Sequence, residues 1–176
     1  MKKLLTILII CGLIYTAKAQ EASVERSTSG IQTGFLGIWL HNEVKAADQI
    51  ALRGELGFDS GFLLTPVITL EPRWYYNIKS RSAKSKNIAG NSGNFISLKS
   101  SYNPDWFVIS NAENVTVTNQ IAIIPTWGIR RSLGNHFTYE AGIGLGYRYL
   151  FAKSAGYAAN ESEAALNVHL RIGYRF

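Results

Sequence analysis

Four groups of residues have the types and spacing that chemistry uses. His136-x-Thr138-x-Glu140 sets an imidazole, a hydroxyl and a carboxylate at period two, which on an extended strand puts all three on one face. That is the composition of a nucleophile–base set, but beside the turn signal Ser132-Leu133-Gly134-Asn135 the three read as ordinary polar lumen and turn residues. Gly142-x-Gly144-x-Gly146 has the spacing of a phosphate-cradling loop. No helix pattern follows it, so the geometry that would hold a dinucleotide is missing, and glycines beside Arg148 serve better to make room for bulky neighbours. His41, His136 and His169 lie far apart in sequence, without the close ligand spacing of a metal site. No metal or cofactor is expected. The fourth group is the largest: Arg53, Glu55, Asp59, Glu71, Arg73, Arg130, Glu140, Arg148, Arg171 and Arg175 all fall on the polar rows of alternating segments.

Those segments must position any such chemistry. From 166 to 176, Leu166, Val168, Leu170, Ile172, Tyr174 and Phe176 alternate with Asn167, His169, Arg171, Gly173 and Arg175. The same period-two pattern runs through 50–62, 66–78, 117–131 and 137–149, and less regularly through 31–43 and 92–102. Alternation over such lengths predicts strands, and no stretch has the periodicity of a long amphipathic helix. Pairing 50–62 with 66–78 brings Arg53/Glu55 and Glu71/Arg73 into a cross-strand ladder. Enclosed charges of this kind must pair, because an unpaired buried charge costs several kcal/mol. A salt-bridged plug is the expected outcome, and a gate or narrow ion path the functional alternative.

The chain has 176 residues, 47% hydrophobic and 17% charged, with a formal charge of +6; its mean hydropathy is +0.01. That length suits one domain, and the low charged fraction departs from the ~25% of soluble domains. Residues 1–19 read as a cleaved leader: Lys2 and Lys3, an apolar run over 4–15, then Ala17-Lys18-Ala19 before the cut. The run is too short for a membrane helix. Cys11 does not fit a lipid-attachment site, being preceded by bulky Ile10 and followed by more of the apolar run. Cleavage would remove three of the eighteen basic residues, leaving fifteen against twelve acidic ones, and would take the only cysteine. An exported chain with so small a charge and no thiol is expected to bind no nucleic acid and to form no disulfide. The mature domain is expected over 20–176.

Apolar rows facing inward would make a sandwich; facing outward they make an antiparallel transmembrane β-barrel. Strands of 11–15 residues exceed the usual globular length and are long enough to cross a bilayer at a tilt. Aromatic residues gather towards row ends (Trp74 and Tyr76, Tyr147 and Tyr149, Tyr174 and Phe176), as interfacial girdles do. With its leader, its alternation and a terminal Arg171-Ile172-Gly173-Tyr174-Arg175-Phe176, the chain resembles small bacterial outer-membrane β-barrel proteins. Ala19-Gln20 and the Trp/Tyr-rich strands resemble most the barrels of the Bacteroidetes, of OmpA/OmpX-type size. The resemblance implies an outer-membrane location, contact with outer-membrane lipid and lipopolysaccharide, and recognition of Tyr174 and Phe176 by the barrel-assembly machinery. It implies a monomer with a non-enzymatic structural, envelope-integrity or surface-interaction role. A lipid-modifying barrel is the alternative, since lipid A deacylase barrels use His, Ser and an acid, although here Thr138 replaces the Ser and the set lies at the wrong end; a narrow channel or transporter is another.

Seven segments are one short of the even strand number of such barrels, so eight are expected, the missing one at 22–29 or within 103–116. The first choice makes Lys45 to Gln49 a periplasmic turn and puts the basic segment 79–91, read as a solvated loop, at that same end with the C-terminus. It leaves 103–116 and 151–164 as external loops.

Overall fold

Strands with one apolar and one polar row leave two unequal faces, and curling the sheet until its edges meet segregates them without leaving an unpaired edge. The chain does this in the computed structural model, which describes residues 22–60, 64–109 and 117–176; the expected leader lies outside these. Eight strands follow in order: β1 (Ser27–Gly34), β2 (Gly37–Ala47), β3 (Ile50–Ser60), β4 (Leu64–Trp74), β5 (Asn94–Asn103), β6 (Gln120–Leu133), β7 (Phe137–Leu150) and β8 (Glu161–Arg175). Each pairs antiparallel with its sequence neighbour, and β1 closes the barrel against β8.

The register fixes the barrel's shape. Paired positions lead from Gly30 through His41, Glu55, Thr69, Ser101, Ala122 and Arg148 to Glu163, whereas Gly30 itself pairs with Arg175, a stagger of twelve residues around the closure. A large stagger goes with strongly tilted strands and a wider cross-section. The interior can therefore hold long side chains from opposite walls.

The missing strand is β1, further along than 22–29. The expected single strand over 31–43 is a hairpin instead: Gly34 pairs with Gly37 around a two-residue turn at 35–36. Gly37 has φ +146°, and a Cβ there would strike the Phe58 carbonyl, so the tight turn requires glycine. β8 begins at Glu161, which shortens the expected loop over 151–164. Among the described residues of 103–116 the only pairing beyond β5 is an isolated bridge from Ile109 to Leu64; residues 110–116 lie outside them.

The apolar rows face outward on most of the circumference. Leu40, Leu56, Leu70, Ile123, Ile143, Leu145, Leu166, Leu170 and Ile172 are all at least half exposed, while the intervening Arg53, Glu71, Arg130 and Glu140 are buried. The barrel is thus inverted relative to a water-soluble core.

One end is closed by the stretch between β4 and β5, which is not the solvated loop expected over 79–91. It forms a short helix, α1 (Ile78–Ala83), and a 3-10 turn at Ala89–Asn91. Tyr75, Ile78 and Ile88 pack with Val24, Ala51 and Phe95 in a buried apolar cluster. Lys79, Lys84 and Lys86 stay on its exposed side. Burial pushes the Tyr75 phenol up from its ordinary pKa. The Phe95 ring lies directly over Gly128, where any Cβ would meet it. Ser132 donates from its backbone to Ser92 Oγ (2.7 Å) and from its hydroxyl to the Ala89 carbonyl (2.7 Å), tying the cap to β6.

Candidate functional site

Above the cap, inward positions from all the strands converge. Four arginines (Arg53, Arg73, Arg130, Arg171) and four glutamates (Glu43, Glu55, Glu71, Glu140) are buried there, at 3% exposure or less. Equal numbers of the two signs fit an enclosed network that must balance its own charge. Arg73 makes a two-pronged contact with Glu140 (2.8 and 2.9 Å) and reaches Glu71 at 2.8 Å. Arg130 donates to Glu43 at 3.0 Å. Glu55 accepts from Arg53 and from Arg171, the latter at 2.9 Å. Arg53 also stands 3.6 Å from Glu140 and 3.7 Å from Glu43, linking the pairs into one cluster. β1 adds Gln32, which accepts from Arg53, and β5 adds Ser97, whose hydroxyl donates to Glu71.

Aromatic faces close the network above and below. The Arg73 guanidinium lies 4.3 Å from the centre of Phe95, on the cap side, and that of Arg171 lies 3.8 Å from Trp39. Such contacts favour a cation that has lost its water. The cap joins the network through Asn91, whose amide donates to Glu43 and whose carbonyl oxygen accepts from the Glu25 backbone (2.7 Å).

Seven of the ten expected charges (Arg53, Glu55, Glu71, Arg73, Arg130, Glu140 and Arg171) meet in this cluster. Arg148 lies at the far rim, where it pairs with Glu163 at 3.1 Å, partly in water. Arg175 lies at the capped end and clamps Glu25 (3.0 and 3.1 Å), holding the N-terminal stretch across it. Asp59 accepts from the Trp39 indole (3.1 Å) and Asn103 (3.3 Å) without touching an arginine. These three are inward residues, but strand tilt carries them to levels beyond the cluster.

Glu43, His41 and His169 belong to the cluster and were not expected in it. His41 lies 3.3 Å from Arg130, and His169 Nε2 lies 3.4 Å from Glu140 Oε1. The alternation of Trp39, His41 and Glu43 is the signal that could have found the first two; the apolar turn at 35–36 shifts the phase of the row and hides it. His169 already stood on the inward row of the last strand.

The His136–Thr138–Glu140 spacing does not assemble a site. His136 is at the turn, its ring stacked on Tyr174 at 5.2 Å and its Nδ1 3.1 Å from the Arg175 carbonyl. Glu140 is committed to Arg73. The acid–imidazole neighbours are instead Glu140 and His169. Gly142 makes room for that ring, since a Cβ there would lie 2.5 Å from His169 Cε1, so part of the glycine run has a packing role. No cluster of three or more potential metal ligands occurs among the described residues. Tyr174 and Phe176 both face outward at the end of β8, with Phe137 edge-on to Tyr174 at 5.5 Å.

Beyond the cluster, towards the end carrying 35–36, 104–109, 117–119 and 151–160, the interior opens into a cavity of about 450 Å³. Its lining includes Trp39, Asp59, Lys99, Asn103, Asn167 and Arg171. The arrangement can hold a solute, and between it and the capped end Arg53, Arg130, Glu43 and Glu140 have no water-accessible surface.

No protein-family model, curated protein or solved structure matches the chain.

Proposed function

We propose that this protein is an outer-membrane β-barrel, inserted as a monomer with its capped end and C-terminus in the periplasm, and that its role is structural or surface-interacting rather than enzymatic. The observation carrying this reading is the inversion of the barrel: apolar side chains outward, a balanced ion network inward. In water the outer surface would be an apolar patch far above the few hundred Å² that soluble monomers tolerate; in lipid it is the surface required. Trp74, Tyr76 and Trp127 cluster near the capped end, with the Trp127 indole donating to the Tyr76 hydroxyl (3.0 Å), as residues at a membrane–water boundary do. Tyr147 and Tyr149 occupy the opposite end of β7. Tyr174 and Phe176 are the residues on which the barrel-assembly machinery would act, and the outward rows those that would meet lipid and the acyl chains of lipopolysaccharide. The filled interior supports a barrel that does not conduct large solutes.

Fractionation of cells producing the full chain tests this. The protein is expected in the outer membrane, to resist carbonate extraction, and to migrate faster on gels before boiling than after. Recovery from the soluble periplasmic fraction, with one mobility, would contradict the proposal.

A further inference from the structure

The cavity beyond the ion network carries polar groups that the network leaves unused. Lys99, inward on β5, lines it and among the described residues has no carboxylate at ion-pair distance. Arg171 lines it too: one terminal nitrogen, Nη1, is spent on Glu55, while the other, Nη2, makes no hydrogen bond among the described residues. His169, a third lining residue, is 92% buried and its Nδ1 has no hydrogen-bond partner among the described residues. Donors without partners in a partly buried site are costly, and Lys99 and Arg171, which both line the cavity, mark a place where a ligand would supply what is missing. The carboxylate lining the same cavity, Asp59, has its two oxygens occupied by Trp39 and Asn103. Around this cationic floor the wall is partly apolar: Ala122 and Ile124 form a buried cluster with Ala165, and Leu36 stands at the rim. Asn103 and Asn167 add amides. Arg148, partly exposed and also lining the cavity, shows that it reaches the barrel mouth. A volume of about 450 Å³ falls in the range of small-molecule sites.

We infer that this cavity binds a small organic acid, its carboxylate held by Lys99 and Arg171 and its hydrocarbon part lying along Ala122 and Ile124. A carboxylate there would pair with Lys99 and Arg171 Nη2 without disturbing the Arg171 Nη1–Glu55 contact. The inorganic anions lack a part that uses the apolar wall, so an organic acid is favoured over phosphate. The site depends on the folded barrel alone and not on where the barrel resides.

Calorimetric titration of the purified, folded full chain in detergent with butyrate, acetate and inorganic phosphate tests it. Butyrate is expected to bind saturably and more tightly than the other two. Lys99→Met, which keeps the aliphatic stem, is expected to weaken butyrate about tenfold or more, as loss of a charged hydrogen bond does, and Lys99→Arg to restore most of it. Asp59→Asn, which keeps an acceptor for Trp39, is expected to tighten binding; it carries the test if Lys99→Met fails to fold. Absence of saturable butyrate binding, equal affinity for phosphate, or affinities unmoved by Lys99→Met or, in its place, Asp59→Asn would overturn the assignment.

Discussion

Replacing Glu140 with alanine is expected to lower the stability of the barrel by about 3–5 kcal/mol, the cost of removing one partner from a buried ion pair. Glu140 holds Arg73 by two contacts, stands within ion-pair distance of Arg53 and adjoins His169. Its loss leaves positive charge facing positive charge in a space with no water access. Glu71→Ala should cost less, about 1–3 kcal/mol, because Arg73 keeps its two-pronged contact with Glu140 and only Ser97 loses a further partner. Urea unfolding of the two variants, followed by gel mobility or tryptophan fluorescence, separates them. Equal stability of Glu140→Ala and wild type would show that the network contributes nothing. Neither variant is expected to pass porin-sized currents, since Tyr75, Ile78 and Phe95 close the end independently of those carboxylates.

The second large effect concerns the outer surface. Ile143 lies mid-way along β7, is 55% exposed, and pairs with Trp127 on one side and Val168 on the other. If the surface faces lipid, Ile143→Arg costs about 2–4 kcal/mol at mid-bilayer depth. If it faces water, the same change stays within about 0.5 kcal/mol. Folding yields and unfolding midpoints of the variant in lipid vesicles decide between them. A barrel indifferent to this charge has no hydrocarbon around it.

The two effects trace back to what alternation made legible. Once apolar and polar rows are separated, all ten expected charges must face one interior, and closure brings seven of them together, including residues as far apart as Arg73 and Glu140. Which arginine meets which glutamate was not legible, because those contacts cross the barrel and depend on a stagger set by the whole circuit of pairings. The first hairpin was hidden because its turn is Phe35-Leu36, apolar residues flanked by Gly34 and Gly37, so the hydrophobic run continues through it. The same run conceals the inward positions of His41 and Glu43. The cap was hidden for another reason: Tyr75, Ile78 and Ile88 are apolar but have no period, and the lysines among them dominate the local composition.

The central claim is that the outward rows lie in lipid while the inward rows do not, and the four tryptophans allow it to be measured. Trp74 and Trp127 are outward and nearly half exposed, Trp39 is buried beneath Arg171, and Trp106 sits in the loop after β5. Variants retaining Trp74, Trp127 or Trp39 alone, folded into vesicles containing lipids brominated on their acyl chains, report which indoles touch hydrocarbon. Strong quenching of Trp74 and Trp127 with little of Trp39 is the predicted result; fluorescence from Trp74 and Trp127 that brominated lipid leaves untouched and aqueous acrylamide quenches would contradict it.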